Sequence, residues 1–189
     1  MSEQESITQY FSQHQNCANV DIGIGDDAAV VTPPNNSKLV ISTDTLNEGV
    51  HFHGNCKPEH LGHKVLAVHL SDLAAMGATP LWATINLSIT KIDHDWLKRF
   101  THGLFSLADH HNVKIIGGDL VKGPSSISMQ VIGYLNSDKV LTRSGAVVDD
   151  LIFVSGTIGD AGLALKLHES TKDIDISQAD QEYIAMRLK

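Results

Sequence analysis

The stretch PEHLGHKVLAVHLSDLAAMGATPLWATINLSI, residues 58–89, decides the fold class of this chain. Its first half places apolar side chains mostly three and four residues apart, which predicts a helix with one buried face. Gly77 ends this helix, and Pro80 prevents its continuation. Residues 81–89 then predict a strand, so a helix leads directly into a sheet. The apolar side chains of the predicted helix are Leu61, Val65, Leu66, Leu70, Leu73 and Met76.

The segments on both sides predict an α+β fold rather than a doubly wound parallel sheet. Two strands separated by the turn sequence PPNNS are expected to pair as a hairpin, and residues 19–28 before them are expected to form a loop. Helices that segregate against a mostly antiparallel sheet fit the order of the elements. The further strands are predicted at residues 28–32, 38–43, 113–118, 126–135 and 151–156, and helices at 3–14, 93–109 and 178–188. Residues 156–167 are expected to lead from a glycine-rich loop into another helix.

A second domain is expected to begin near residue 150. The strand at 151–156 and the two helices after it have no further strands with which to build a sheet. We therefore expect domains at 1–149 and 150–189, the second being the incomplete start of an α/β domain. The alternative is that both helices fold back onto the first domain.

Composition and charge disfavour several classes of function. The net charge of −8 argues against a general nucleic-acid binder, which needs clustered Lys and Arg. No apolar run approaches the roughly 20 residues of a membrane span, and the polar amino terminus is unlike a secretory signal, so a cytoplasmic protein without a membrane partner is expected. Cys17 and Cys56 lack CxxC spacing and predict neither a disulfide framework nor a thiolate zinc site.

Carboxylates lie at the ends of several predicted elements, where side chains from distant segments can converge. Asp72 lies in the last part of its helix, where the helix dipole disfavours a negative charge, and Asp44 follows an apolar strand. Each Asp alone is explained by a cap or a turn, whereas together they predict a Mg²⁺ site. The full set is Asp26, Asp27, Asp44, Asp72 and Asp119, with the hydroxyls of Ser42, Thr43 and Thr45 beside Asp44.

Two glycine-rich segments are candidates for a phosphate-binding loop. Residues 23–28, GIGDDA, match the dinucleotide pattern GxGxxA, but AVVTPP follows where that pattern requires a helix, so this interpretation is rejected. Residues 117–124, GGDLVKGP, are the better candidate because they combine glycines, the carboxylate of Asp119 and the positive charge of Lys122. An ordinary loop remains the alternative.

The 11 histidines raise a zinc alternative. His51 and His53 lie in HFH, but the HExxH motif is absent from the sequence. A metal-dependent hydrolase that uses these histidines and the Asp cluster is therefore kept as a second reaction class.

Five stretches in order resemble the thiamine-monophosphate kinase family, whose superfamily includes aminoimidazole ribonucleotide synthetase and selenophosphate synthetase. They are GIGDDAAVV, STDTLNEGVHF, KVLAVHLSDLAAMGATP, IIGGDLVKGP and LTRSGAVVDDLIFVSGTIGDAGLAL. The resemblance implies an amino-terminal domain like that of aminoimidazole ribonucleotide synthetase, which binds metal and ATP and forms a homodimer through its sheet. It implies metal ligation by Asp27, Ser42, Thr43, Asp44, Asp72 and Asp119, contact with ATP by Gly118 and Arg143, and contact with thiamine monophosphate by His51. Asp119 and Lys122 of the candidate phosphate loop complete the expected ATP-binding set.

The expected reaction is ATP-dependent phosphorylation of thiamine monophosphate to thiamine diphosphate, with Mg²⁺ assisting in-line phosphoryl transfer. The attacking phosphate oxygen is already ionised at neutral pH, so the reaction needs alignment and charge neutralisation, and no catalytic base is predicted. Leu120, Val121 and Lys122 stand where the family commonly has Thr, Thr and Arg, which removes two hydroxyls and a bidentate cation. A fragment that binds without turnover, or a non-catalytic dimeric binding module, is the remaining alternative.

Overall fold

The computed structural model describes residues 3–12, 17–136, 140–154, 156–169 and 177–186, which form two compact units, 1–143 and 144–189. The domain assignment made from the sequence stays a prediction. The elements of the first unit are α1 (Glu3–Phe11), β1 (Val20–Ile22), β2 (Val30–Val31), β3 (Lys38–Asn47), α2 (Pro58–Ala75), β4 (Thr79–Ile89), α3 (His94–His110), β5 (Lys114–Lys122) and β6 (Ser126–Leu135). The second unit contains α4 (Asp160–Glu169) and α5 (Gln178–Met186).

A four-stranded sheet in the order β3-β6-β4-β5 forms the centre of the first unit. β6 pairs antiparallel with both β3 and β4, whereas β4 and β5 are parallel and are connected through α3. The predicted α+β class with a mostly antiparallel sheet is therefore confirmed, with one parallel pair in it. β3 and β5 are the edge strands of this sheet.

Helices α2 and α3 cover the inner face of the sheet and form the core with it. Val65 and Leu66 of α2 and Phe100 and Leu104 of α3 are fully buried. The two helices touch through glycines: a Cβ atom on Gly62 would lie 2.0 Å from the carbonyl oxygen of Phe100. A backbone contact this close fixes the position of α2, which carries Asp72 at its carboxyl end.

The strand period of two separates an apolar inner face from a mixed outer face. On β3 the inner positions include Ser42, Asp44 and Leu46, and only Leu46 is buried. The outer positions of β3 include Thr43 and Thr45, so hydroxyls that are adjacent in sequence point to opposite faces. One register row on the outer face contains Thr45, Ser128, Asn86 and Asp119.

The prediction that strands 28–32 and 38–43 pair as a hairpin is wrong. β2 pairs antiparallel with β1, which lies in the segment expected to be a loop, and β3 pairs with β6. Val20 of β1 and Val31 of β2 pack with Trp82 and Ile116. Burial of these side chains decides the pairing, which the local turn signal could not reveal.

The strand predicted at 151–156 is also not found: residues 151–154 have no strand, and Ser155 lies outside the described residues. Ile152 and Phe153 are almost fully exposed, at 93% and 85%. A strand requires a neighbour for its backbone groups, and the second unit offers none among its described residues. The predicted helices are present there, and the Tyr183 hydroxyl of α5 donates to the Asp160 carboxylate of α4. No helix in the described part of the chain is long and apolar enough to cross a membrane.

Candidate functional site

A cavity of about 520 Å³ in the first unit brings together segments that are distant in sequence. One wall is the loop at residues 23–29, which carries Asp26 and Asp27, and another is the middle of β5 with Gly118 and Asp119. Ile7 and Phe11 of α1 also line the cavity. Three predicted site residues, Asp27, Gly118 and Asp119, therefore lie around one space.

Gly118 is required by the close approach of β5 to β4. Its φ of +147° is a conformation that side chains rarely adopt, and a Cβ atom there would lie 1.8 Å from the carbonyl oxygen of Ile85. Any other residue would push the two strands apart. Main chain without a side chain therefore forms this part of the cavity wall.

The carboxylates of the cavity are exposed and partly engaged by neighbouring main chain. The Leu120 amide donates to Asp119 Oδ1 at 2.9 Å, and the Asp27 amide donates to Asp26 Oδ1 at 2.9 Å. These contacts orient the carboxylates of Asp26 and Asp119, so that carboxylate oxygens able to coordinate a metal ion line the cavity. We call Asp26, Asp27 and Asp119 the cavity group.

A second set of predicted ligands lies where β3 meets α2. Ser42 Oγ donates to Asp72 Oδ2 at 2.7 Å, and Asp44 is two residues further along the same face of β3. The last turn of α2 has no basic residue to offset the carboxylate of Asp72. We call Ser42, Asp44 and Asp72 the strand-helix group.

Thr43 does not join the strand-helix group, because it projects from the outer face. Its hydroxyl donates to the carbonyl oxygen of Met129 at 3.0 Å. Thr45, on the same face, has its hydroxyl 2.7 Å from Ser128 Oγ. The structure therefore divides the hydroxyls that the sequence placed at one spot.

The remaining predicted residues lie apart from the cavity. His51 is exposed; its Nδ1 accepts from the Asn47 amide at 3.0 Å, and its carbonyl accepts from Lys64 Nζ at 2.6 Å. Lys122 ends β5, so much of the expected phosphate loop at 117–124 is strand. Arg143 is exposed, and neither it nor Lys122 is among the described residues that line the cavity.

A second cavity of about 310 Å³ contains His53, Glu48, Cys56 and Asp93. Burial raises the pKa of the Cys56 thiol, partly offset by nearby Lys64, so this sulfur stays protonated at neutral pH. Among the residues that the structure describes, no three His, Cys, Asp or Glu side chains are arranged to hold a metal ion. The zinc hydrolase alternative gains no support from this arrangement.

Sequence reasoning missed His69, which is fully buried between α2 and β3. Its Nδ1 lies 2.6 Å from the Val65 carbonyl oxygen, and its Nε2 lies 3.2 Å from the Asp44 amide nitrogen. A detectable signal exists, since His69 falls on the predicted buried stripe four residues after Val65. On sequence grounds, only His51 and His53 stood out among the histidines.

Comparison with known proteins identifies relatives for most of the chain. Residues 25–135 match the family model of AIR synthase related protein, N-terminal domain. The chain is 43% identical over 177 residues to thiamine-monophosphate kinase of Escherichia coli K12, covering 92% of this chain and 54% of that protein. It is 45% identical over 167 residues to the Buchnera aphidicola (Acyrthosiphon pisum) protein of the same name, covering 88% and 52%.

Solved structures show the same similarity. Thiamine-monophosphate kinase from Stenotrophomonas maltophilia K279a superposes with a TM-score of 0.79 at 43% identity, covering 90% of this chain and 54% of that one. A structure of AaThiL complexed with AMPPCP and TMP gives a TM-score of 0.67 at 31% identity, covering 84% and 55%. The chain thus spans about half the length of the curated relatives it matches.

Proposed function

Because the chain belongs to the AIR synthase related proteins through the N-terminal domain at residues 25–135, we propose that it acts in ATP-dependent phosphorylation of thiamine monophosphate to thiamine diphosphate. The observation that carries this proposal is the convergence of Asp27, Gly118 and Asp119 on one cavity of about 520 Å³. The relatives named thiamine-monophosphate kinase supply the reaction, and AaThiL complexed with AMPPCP and TMP supplies the pair of ligands.

The donor atoms of the two acidic groups fit Mg²⁺. They are carboxylate and hydroxyl oxygens, the hard ligands that Mg²⁺ takes together with waters and substrate phosphates. When bound, Mg²⁺ would neutralise phosphate charge and reduce the repulsion between ATP and the substrate phosphate. We propose that Asp27 and Asp119 hold one ion and that Ser42, Asp44 and Asp72 hold another. Thr43, which was also expected to be a ligand, projects from the opposite face of β3 and donates to the carbonyl oxygen of Met129.

The chain itself would bind and align the two phosphates. Gly118 lets the main chain of β5 approach a ligand without a side chain in between, and Lys122 and Arg143 supply positive charge for ATP. His51 is proposed to contact thiamine monophosphate from the exposed loop after β3. Alignment of an ionised phosphate oxygen with the terminal phosphate of ATP requires no general base, so no such residue is assigned.

We propose that the partner of this chain is a second copy bound through the outer face of the sheet. Leu39 and Ile41 of β3 and Val121 of β5 are 46%, 58% and 43% exposed. Burial of apolar outer-face residues in a homodimer would remove them from water. Sedimentation equilibrium tests this: a dimer that Ile41→Lys converts to monomer supports the proposal, and a monomeric wild type refutes it.

Calorimetric titration with AMPPCP, with and without millimolar Mg²⁺, tests the binding site. We expect Mg²⁺-dependent binding that Asp44→Asn and Asp119→Asn each weaken by about tenfold or more, because a metal ligand loses its charge. Asp95→Asn is the matched control, since Asp95 is exposed on α3 and lies outside both acidic groups. Folded protein that binds no nucleotide at any Mg²⁺ concentration would favour the non-catalytic module instead.

A further inference from the structure

His69 is a buried polar side chain with three polar contacts: Nδ1 faces the Val65 carbonyl oxygen at 2.6 Å, and Nε2 lies 3.2 Å from the Asp44 amide nitrogen and 3.4 Å from the Asp44 carbonyl oxygen. The Val65 carbonyl oxygen can only accept a hydrogen bond, so the ring nitrogen 2.6 Å away, Nδ1, must carry the proton. Nε2 is then free to accept from the Asp44 amide at 3.2 Å. With the proton on Nδ1, the ring donates to Val65 and accepts from the Asp44 amide, the shorter of the two contacts of Nε2 with Asp44, so it joins α2 to β3.

The contact with Asp44 falls on an edge strand. β3 pairs with β6 on one side only. In an antiparallel ladder, alternate amides point away from the partner strand and need other acceptors. His69 provides such an acceptor for the amide of Asp44, a proposed metal ligand.

Two hydrogen bonds consequently tie α2 to β3. Ser42 bonds to the side chain of Asp72, and Asp44 bonds through its amide to His69. The strand positions are two residues apart, and the helix positions are three residues apart. A single contact between Ser42 and Asp72 would allow the strand to pivot about it, whereas two contacts fix the separation of the Asp44 and Asp72 carboxylates.

We propose that His69 is a positioning residue that holds the strand-helix group in the arrangement needed to bind Mg²⁺. This inference rests on the proposed function, because it assumes that Asp44 and Asp72 are ligands. The site is otherwise apolar, with Val65, Leu66 and Leu73 of the same helix buried. Packing alone would be served by an apolar residue, which avoids burial of a polar ring.

The first test needs no metal. In wild-type protein, ¹⁵N shifts should show the proton on Nδ1 of His69 and Nε2 as an acceptor, and the Asp44 amide should exchange slowly with solvent. His69→Leu keeps an apolar side chain in the core but removes the acceptor, so the Asp44 amide should lose its protection. An Asp44 amide that exchanges at the same rate in both proteins would overturn the proposal.

The second test measures the Mg²⁺ concentration that half-saturates AMPPCP binding. We expect His69→Leu to raise it about tenfold, as loss of a residue that orients a metal ligand commonly does. His69→Gln offers a side-chain carbonyl at the reach of Nε2 and should recover most of the affinity, whereas the shorter His69→Asn reaches only the position of Nδ1 and should not. If His69→Gln binds Mg²⁺ and AMPPCP as weakly as His69→Leu, the acceptor role is wrong.

Thr101→Val is the matched control for simple destabilisation. Thr101 is also buried, and its hydroxyl donates to the Leu97 carbonyl oxygen within α3. Loss of this hydrogen bond in Thr101→Val should lower the melting temperature without changing the Mg²⁺ dependence of AMPPCP binding. Wild-type protein that fails to bind AMPPCP would refute the proposed function, whereas normal Mg²⁺ dependence in His69→Leu would refute only the role of His69.

Discussion

The substitution Gly118→Ala tests whether the cavity depends on the close approach of β5 to β4. The added Cβ would lie 1.8 Å from the carbonyl oxygen of Ile85. A carbon and a carbonyl oxygen normally come no closer than about 3.3 Å, so the strands must separate by roughly 1.5 Å. A backbone hydrogen bond of about 2.9 Å does not survive that displacement.

The expected loss of stability follows from these two effects. Two ladder hydrogen bonds at about 1 kcal/mol each and a strained backbone at about 1–3 kcal/mol give a loss of about 3–5 kcal/mol. For a chain of this size the melting temperature should fall by roughly 10 °C. The cavity should deform as well, because Gly118 and Asp119 move with the strand.

Gly117→Ala is the matched control. A Cβ at Gly117 would lie 3.7 Å from Thr84 Cγ2, an ordinary contact, and the φ of Gly117 is not positive. Urea unfolding followed by tryptophan fluorescence compares the two variants, with a change of about 1 kcal/mol or less expected for Gly117→Ala. Equal unfolding midpoints for the two variants would refute the argument from the β4–β5 contact.

Three further predictions concern the rest of the first unit. Gly103→Ala should lower the melting temperature by several degrees, because its Cβ would lie 1.9 Å from the Glu59 carbonyl oxygen and push α3 from α2; an unchanged melting temperature contradicts this. The carboxylate of Asp93 accepts a hydrogen bond from the Trp96 amide, which lowers the pKa of Asp93 in the folded protein. This contact stabilises the fold at any pH above the pKa that Asp93 has in the unfolded chain, and the stabilisation is lost as the pH falls through the lower pKa of the folded protein. Asp93→Ala should therefore lower the melting temperature at pH 7, with a smaller difference from wild type in acid. In a variant without the other cysteine, the alkylation rate of Cys56 by iodoacetamide should rise at a higher pH than for an ordinary thiol, since burial raises its pKa.

The sequence predicted elements whose own periodicity identifies them. Helices α2 and α3 and strand β6 lie within one or two residues of their predicted bounds, because each carries an uninterrupted apolar pattern. The pairing of β1 with β2 was missed. These strands have three and two residues, too short for a period, and Trp82 and Ile116 stabilise them from elsewhere in the sequence.

The sequence identified individual residues of the candidate site, but it did not predict which of them lie together in the fold. Motifs identified Asp27 and Asp119, and the structure places them around one cavity. The division of Ser42 from Thr43 follows from strand alternation, which the sequence analysis did not apply to hydroxyls at adjacent positions. The role of His69 needs the distance between α2 and β3, which only the packed fold provides.

The separation of the two acidic groups bears on the kind of metal chemistry proposed. Asp44 and Gly118 occupy one register row with Met129 and Ile85 between them, so they lie roughly 14 Å apart across three strand spacings. Oxygens that share one Mg²⁺ lie within about 4 Å of each other, since each is about 2.1 Å from the ion. Within one chain, Asp44 therefore lies too far from the β5 wall of the cavity for both to share one Mg²⁺, and we propose that the strand-helix group and the cavity group hold different ions. In phosphoryl transfer, Mg²⁺ ions bind together with the nucleotide, and its phosphates bridge the ions. The protein carboxylates that bind them can therefore lie in two separate groups. A hydrolase with a single resident metal requires ligands that already converge, so the separation of the two groups fits the proposed phosphoryl transfer better than the hydrolase alternative.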